Sequence, residues 1–157
     1  MRFIEIAWRS DLYRQEVELR DRLLRAPLGL AFDADELDAE QQQLHFGIID
    51  EQSTLIACVV VVPRGSTHAK IRQMVVDEPY QRQGIGASLL RGTETELTHR
   101  GFQSIELSAR DLATGFYEKL GYRVEGEPFI EVRIPHFKMT KLLLPADPNE
   151  AHRRNPR

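Results

Sequence analysis

Seven consecutive residues, Gln81-Arg82-Gln83-Gly84-Ile85-Gly86-Ala87, have the types and spacing to hold an anion. They follow an apolar, strand-like run from Ile71 to Val76 and open a helical pattern that continues to about Arg100. Two glycines at the mouth of a helix let the backbone approach a ligand closely, with several N–H groups pointing the same way. Those unpaired donors and the positive end of the helix dipole suit phosphate or pyrophosphate. Arg82 adds a mobile positive charge beside them.

The spacing narrows the ligand. A P-loop needs Gly-Lys-Ser/Thr at its end, and this turn ends Gly84-Ile85-Gly86-Ala87 with no lysine. A dinucleotide fingerprint needs glycine or alanine at position 89, which is Leu89. Gln/Arg-x-x-Gly-x-Gly/Ala remains, and residues 81–86 match it at every required position. This segment resembles the acyl-CoA-binding motif of the GCN5-related N-acetyltransferases (GNAT). Some thirty residues later, Gly115-Phe116-Tyr117-Glu118-Lys119-Leu120-Gly121-Tyr122 looks like the second signature of that family. The segment Ile134-Pro135-His136-Phe137-Lys138-Met139 resembles a bacterial subgroup with an Ile-Pro-His-x-x-Met strand.

Several titratable residues could do chemistry on an acceptor. An imidazole ordinarily titrates near about 6.5, and His136 shares strand parity with Ile134 and Lys138, opposite Phe137 and Met139. Glu131 lies near enough to orient it or to act as the base instead, and His45 stands beside Leu44 at a strand start. Arg20 falls on an apolar helical stripe between Val17 and Leu24, where it either pairs with a buried carboxylate or lines a pocket. The acidic cluster Asp33, Asp35, Glu36 and Asp38 reads as a solvated loop or as an attractor of a cationic substrate.

The elements that must position these groups follow from periodicity. Residues 2–8 alternate as a strand, Ser10 can cap a helix over 11–25, and Pro27 and Gly29 end it. Residues 31–43 form a polar connection with room for one short helical turn. Strands over 44–49 and 54–62 make a hairpin. In the strand 69–76, Ala69 and Ile71 set one apolar phase and Met74 and Val76 the other, which fits a β-bulge or a strand buried on both faces. After the helix to Arg100 come a strand around Ile105, Leu107 and Ala109, a helix from Asp111 to Leu120, and strands over 122–125 and about 131–143. Gly92 weakens the first of these helices and suggests close packing there. The reading is one domain over 1–144 and a disordered tail over 145–157, rich in proline and charge.

Composition excludes some classes. A net charge of −3 and pI near 6.0 argue against a nucleic-acid-binding surface. The single cysteine, Cys58, excludes an internal disulfide and sits in an apolar run as a small buried hydrophobe. No apolar stretch approaches the roughly 20 residues of a membrane span, which makes the expected location cytoplasmic. No metal site, nucleic acid or membrane partner is expected, and the chain is read as a monomer or homodimer.

The family resemblance implies the rest. It implies an α/β (α+β) fold, a mixed and mostly antiparallel sheet flanked by helices, with two central strands splayed around the acyl donor. It implies acetyl-CoA as co-substrate, its pyrophosphate on the N–H groups of residues 82–87 and its pantetheine arm along Met74, Val75 and Val76. By the same resemblance Gln81 through Ala87, Phe116 and Tyr117 contact the donor, and Tyr117 protonates the leaving thiolate. Many members carry asparagine at the position of Arg110, so that contact is not carried over. Arg20, His45 and His136 are the acceptor-side candidates, predicted to face one pocket, with His136 or Glu131 as base. The implied activity is acetyl transfer to an amine, of a small molecule or of a protein lysine. A noncatalytic acyl-CoA sensor is the rival from another class, and an acyl-homoserine-lactone synthase a more distant one.

Overall fold

The computed structural model describes residues 1–143, so Leu144 and the expected tail over 145–157 lie outside the described residues. The elements run β1 (Arg2–Glu5), α1 (Asp11–Arg20), α2 (Ala34–Ala39), β2 (Leu44–Ile49), β3 (Leu55–Arg64), β4 (His68–Val76), α3 (Ile85–His99), β5 (Ser104–Arg110), α4 (Thr114–Lys119), β6 (Arg123–Val124), β7 (Phe129–Glu131) and β8 (Ile134–Leu142). The strands form one sheet in the order β1-β2-β3-β4-β5-β8-β6, with β7 also on β8. Every pairing is antiparallel except β4 with β5.

Two apolar layers hold the sheet. On one face α3 buries Ile85, Leu89, Leu90 and Leu97 against Phe46, Ile56, Val59, Ile71 and Leu107. Each fully buried leucine there stabilises the fold by about 1.5–3 kcal/mol. Gly92 is what lets the helix sit so close, since a Cβ at that position would lie 2.6 Å from the Phe3 ring. On the other face α1 lays Tyr13 and Leu19 over Ile6, Ile49, Leu55, Cys58 and Val75. Ser10 caps α1 by accepting from the Tyr13 N–H at 3.1 Å. The chain then passes through a π-helical turn at Asp21–Arg25 and a 3₁₀ turn at Ala26–Leu28, and Gly29 ends it with φ of 70°. Cys58 is fully buried, and burial pushes its thiol well up from its ordinary range.

Two expectations need correction. The strand predicted over 2–8 stops at Glu5, because Arg9 turns into the left-handed region (φ 65°) and Trp8 swings out to donate to the Leu37 carbonyl at 3.0 Å. The single strand predicted over about 131–143 is a hairpin. Val132 and Arg133, with φ of 47° and 64°, turn β7 back onto β8. Both central residues have positive φ, a conformation that tight hairpins usually give to Asn-Gly.

Candidate active site

The sheet is broken open at its centre. β4 pairs with β5 only from His68↔Ser104 to Ile71↔Leu107. Beyond that point β4 stays with β3, Cys58↔Val75 and Ala57↔Val76, while β5 stays with β8 as far as Arg110↔His136. The cause is a bulge. Cys58 faces Val75 and Val60 faces Arg72, so Val59 stands against two residues, Gln73 and Met74. Gln73 takes φ of 51° to make the extra step. One added residue bends β4 away and leaves its β5-facing peptide groups without a ladder partner. It also switches side-chain parity, so that Met74 and Val76 join the layer under α3 and Val75 the layer under α1.

The turn after β4 is built to present backbone donors. The Gln81 amide donates to the Val76 carbonyl at 2.8 Å and the Gln83 amide to the Pro79 carbonyl at 3.0 Å, which ties the loop to itself. Arg82 and Gly84 adopt φ of 63° and 80°, and the Arg82 side chain is exposed. The helix ladder starts with Ser88 N–H on the Gly84 carbonyl at 3.0 Å, so the N–H groups of Ile85, Gly86 and Ala87 precede the first intrahelical donor. No acidic side chain occupies the first turn of α3 to compete for them. A Cβ at Gly86 would meet Phe116 Cζ at 3.6 Å and Val76 Cγ2 at 3.7 Å, so this glycine keeps open a groove walled by β4 and α4. These features fit an acyl-CoA: open N–H groups for its pyrophosphate and an unpaired strand edge for its pantetheine amides.

Two hollows meet at the notch. One, of about 550 Å³, runs past Val75, Val76 and Gln81. The other, of about 600 Å³, holds Tyr117, His136, Glu131, Arg110, Ser108 and Gln73 among its lining. Leu24 and Met74 line both, so the two adjoin. Tyr117 reaches the cleft from α4, its ring edge-on to Phe116 at 5.0 Å and Tyr122 at 5.8 Å. Burial raises its hydroxyl above the ordinary phenol range, which keeps it protonated at neutral pH. His136, 8% exposed, stacks on Phe129, and its Nδ1 lies 2.7 Å from the Ile134 carbonyl. Nδ1 therefore carries the donating proton and Nε2 is left as the basic nitrogen. Glu131 Oε2 stands 3.7 Å from that Nε2.

Arg20 and His45 do not share this cleft. Arg20 is fully buried, with Nη2 at 2.9 Å from Glu16 and 2.7 Å from Glu40, and Nη1 at 2.8 Å from the second Glu40 oxygen. His45 lies behind it, Nδ1 3.0 Å from both Glu16 oxygens and Nε2 3.0 Å from the Glu40 carbonyl. Tyr13 donates to Glu40 at 2.6 Å and completes the cluster. Of the two readings open for Arg20, the buried carboxylate partner is the one realised. The i,i+4 pair Glu16–Arg20 on α1 was its sequence signal. Glu16, Glu40 and His45 bring potential metal ligands within 4.8 Å of one another, but the Arg20 guanidinium already bridges the two carboxylates. The acidic segment is likewise engaged: Asp33 caps α2, Glu36 pairs with Arg25 and Asp38 with Arg9.

Sequence reasoning missed a group of cleft residues, namely Arg25, Arg64, Lys70, Arg72 and Arg110. The signal was the period-two pattern of His68, Lys70 and Arg72 on β4, whose alternate residues Ala69 and Ile71 are buried.

Comparison with known proteins agrees with this geometry. Residues 31–143 match the family model of the acetyltransferase (GNAT) domain. The uncharacterized protein YyaT of Bacillus subtilis (strain 168) is 32% identical over 111 residues, which span 71% of this chain and 74% of that protein. A candidate N-acetyltransferase from Lactobacillus plantarum superimposes with a TM-score of 0.80 at 25% identity, over 91% of this chain and 98% of that one. An aminoglycoside 6′-N-acetyltransferase solved with coenzyme A shares the fold, with a TM-score of 0.79 at 19% identity over 94% and 99% of the two chains. The chain belongs to the GNAT acetyltransferase family.

Proposed function

We propose that this acetyltransferase moves an acetyl group from acetyl-CoA to the amine of a small molecule, with His136 as base and Tyr117 as acid. The observation that carries the reading is that the cleft at the β4–β5 notch is lined by both residues. Acetyl-CoA supplies the acetyl group as an activated thioester. The Ile85, Gly86 and Ala87 N–H groups and Arg82 hold its phosphates. A β5-facing N–H in the Met74–Val76 stretch donates to the thioester oxygen as negative charge develops there. His136 Nε2 takes the proton of the attacking amine, and Glu131 balances the resulting charge. The Tyr117 hydroxyl gives its proton to the departing thiolate. The cleft volume of about 600 Å³ is in the range of small-molecule sites. The segment Ile134-Pro135-His136-Phe137-Lys138-Met139 supports membership of the Ile-Pro-His-x-x-Met subgroup, since its histidine lines the cleft.

Thiol release from acetyl-CoA, followed with small amines and with lysine-containing peptides, tests the reading. The expected result is turnover with a small amine. Turnover confined to peptides makes the protein a lysine acetyltransferase, and acetyl-CoA binding without turnover makes it a sensor.

A further inference from the structure

The cleft has an electrostatic character that acetyl transfer alone does not require. The chain carries a net charge of −3, yet Arg25, Arg64, Lys70, Arg72 and Arg110 line the cleft against one carboxylate, Glu131. Glu36 neutralises Arg25 at 2.9 Å, and Glu40 lies 3.4 Å from Arg72. Among the described residues Arg64, Lys70 and Arg110 form no ion pair; Lys70 stands beside its register partner Glu106, which His68 already engages at 2.8 Å, so positive charge exceeds negative around the acceptor space. Lys70 alternates with the buried Ala69 and Ile71 on β4, and Arg110 follows the buried Ala109 on β5. Both therefore project from the sheet face that carries His136. Arg110 and His136 are direct register partners across β5 and β8. Leu24, Leu28 and Leu30 give the cleft an apolar side opposite these charges.

We propose that the acceptor amine also carries an anion, a carboxylate or a phosphate, which Arg110 and Lys70 hold while its amino group reaches His136. The proposal rests on the acetyltransferase reading and adds the substrate class. The phosphates of the donor do not account for these cations, because none of Arg82 through Ala87 lines the cleft. A polycationic acceptor such as an aminoglycoside is repelled by the same charges, so the fold shared with an aminoglycoside acetyltransferase does not extend to the acceptor. Arginine suits the role through its planar fork, which grips a carboxylate or phosphate with two parallel hydrogen bonds.

The test is a thiol-release assay with acetyl-CoA over three sets of amines. These are amino acids, aminoalkyl phosphates, and anion-free amines of matched length together with an aminoglycoside. An anion-bearing amine should exceed its matched anion-free partner by about 10- to 100-fold in kcat/KM, the range of one charge-assisted contact. The first two sets tell carboxylate from phosphate. Arg110→Gln and Lys70→Gln should each raise the acceptor KM about 10-fold or more while calorimetric affinity for acetyl-CoA is unchanged, and Arg110→Lys should recover part of the loss. Equal or faster turnover of anion-free amines overturns the substrate class and leaves the acetyltransferase reading standing. An unchanged acceptor KM in folded Arg110→Gln does the same. Failure of acetyl-CoA to bind, or of any amine to release thiol, removes the donor reading and this proposal together.

Discussion

Arg20 Nη1 donates to Gln73 Oε1 at 2.6 Å, and Gln73 is the residue whose left-handed backbone makes the bulge in β4. A buried charge cluster on α1 thus holds the step that opens the sheet. Arg20→Ala removes the cation that bridges the buried Glu16 and Glu40, and the expected loss is about 3–5 kcal/mol in urea denaturation. A loss below about 1 kcal/mol would mean that water replaces the guanidinium without penalty.

The same cluster makes stability depend on pH in two directions. Burial opposes the charge on His45, but its hydrogen bond to Glu16 and the nearby carboxylates outweigh that and raise it above 6.5. A raised folded value contributes stability that is complete below 6.5 and lost as pH rises through that raised value. Burial likewise opposes the Glu40 carboxylate, yet hydrogen bonds from Arg20 and Tyr13 hold it below 4.5. Its contribution is present above 4.5 and lost as pH falls through the lowered value. Thermal midpoints should therefore fall as pH climbs above 6.5 and through the raised value, and His45→Gln should flatten that slope. A slope unchanged in His45→Gln would assign it to other groups.

Tyr117→Phe removes only a hydroxyl. It should lower kcat by about 10²-fold at saturating substrates and leave acetyl-CoA affinity alone. Normal kcat, with chemistry shown to limit the rate, would leave Tyr117 as a packing residue between Phe116 and Tyr122.

His136→Gln should preserve the fold and acetyl-CoA binding while lowering kcat/KM by about 10²-fold. Undiminished kcat/KM in folded His136→Gln transfers the role of base to Glu131 or to water.

At Gly86 the space, not the backbone angle, sets the limit. A Cβ there makes ordinary contacts with Phe116 and Val76, so Gly86→Ala should fold normally. Gly86→Val fills the groove and should weaken acetyl-CoA binding about 100-fold or more by calorimetry, since binding depends on close backbone approach. Undiminished affinity in folded Gly86→Val would place the donor elsewhere.

Much of this was legible in the chain. The glycine turn, the parity slip between Ile71 and Met74, and the Phe116-Tyr117 pair are local patterns, and the structure puts all three around one notch. The β7–β8 hairpin was not legible because its turn is Val132-Arg133, without the glycine or asparagine that normally marks two positive φ angles. Arg20 and His45 misled for another reason. A helical stripe and a strand parity say which residues face inward, not which residue will meet them. Their partner Glu40 comes from the 3₁₀ turn before β2, in a polar stretch with no apolar period.

The unpaired edge of β4 has a consequence for how the protein and its donor are related. Between Arg72 and Val76 the sheet lacks a neighbour on one side, which is where a folded protein is weakest and where a foreign strand would dock most readily. The amide-bearing arm of acetyl-CoA has the shape and hydrogen-bonding pattern of that missing strand. With acetyl-CoA bound as proposed, the donor serves as a removable piece of secondary structure, and each round of catalysis completes the sheet once and opens it once.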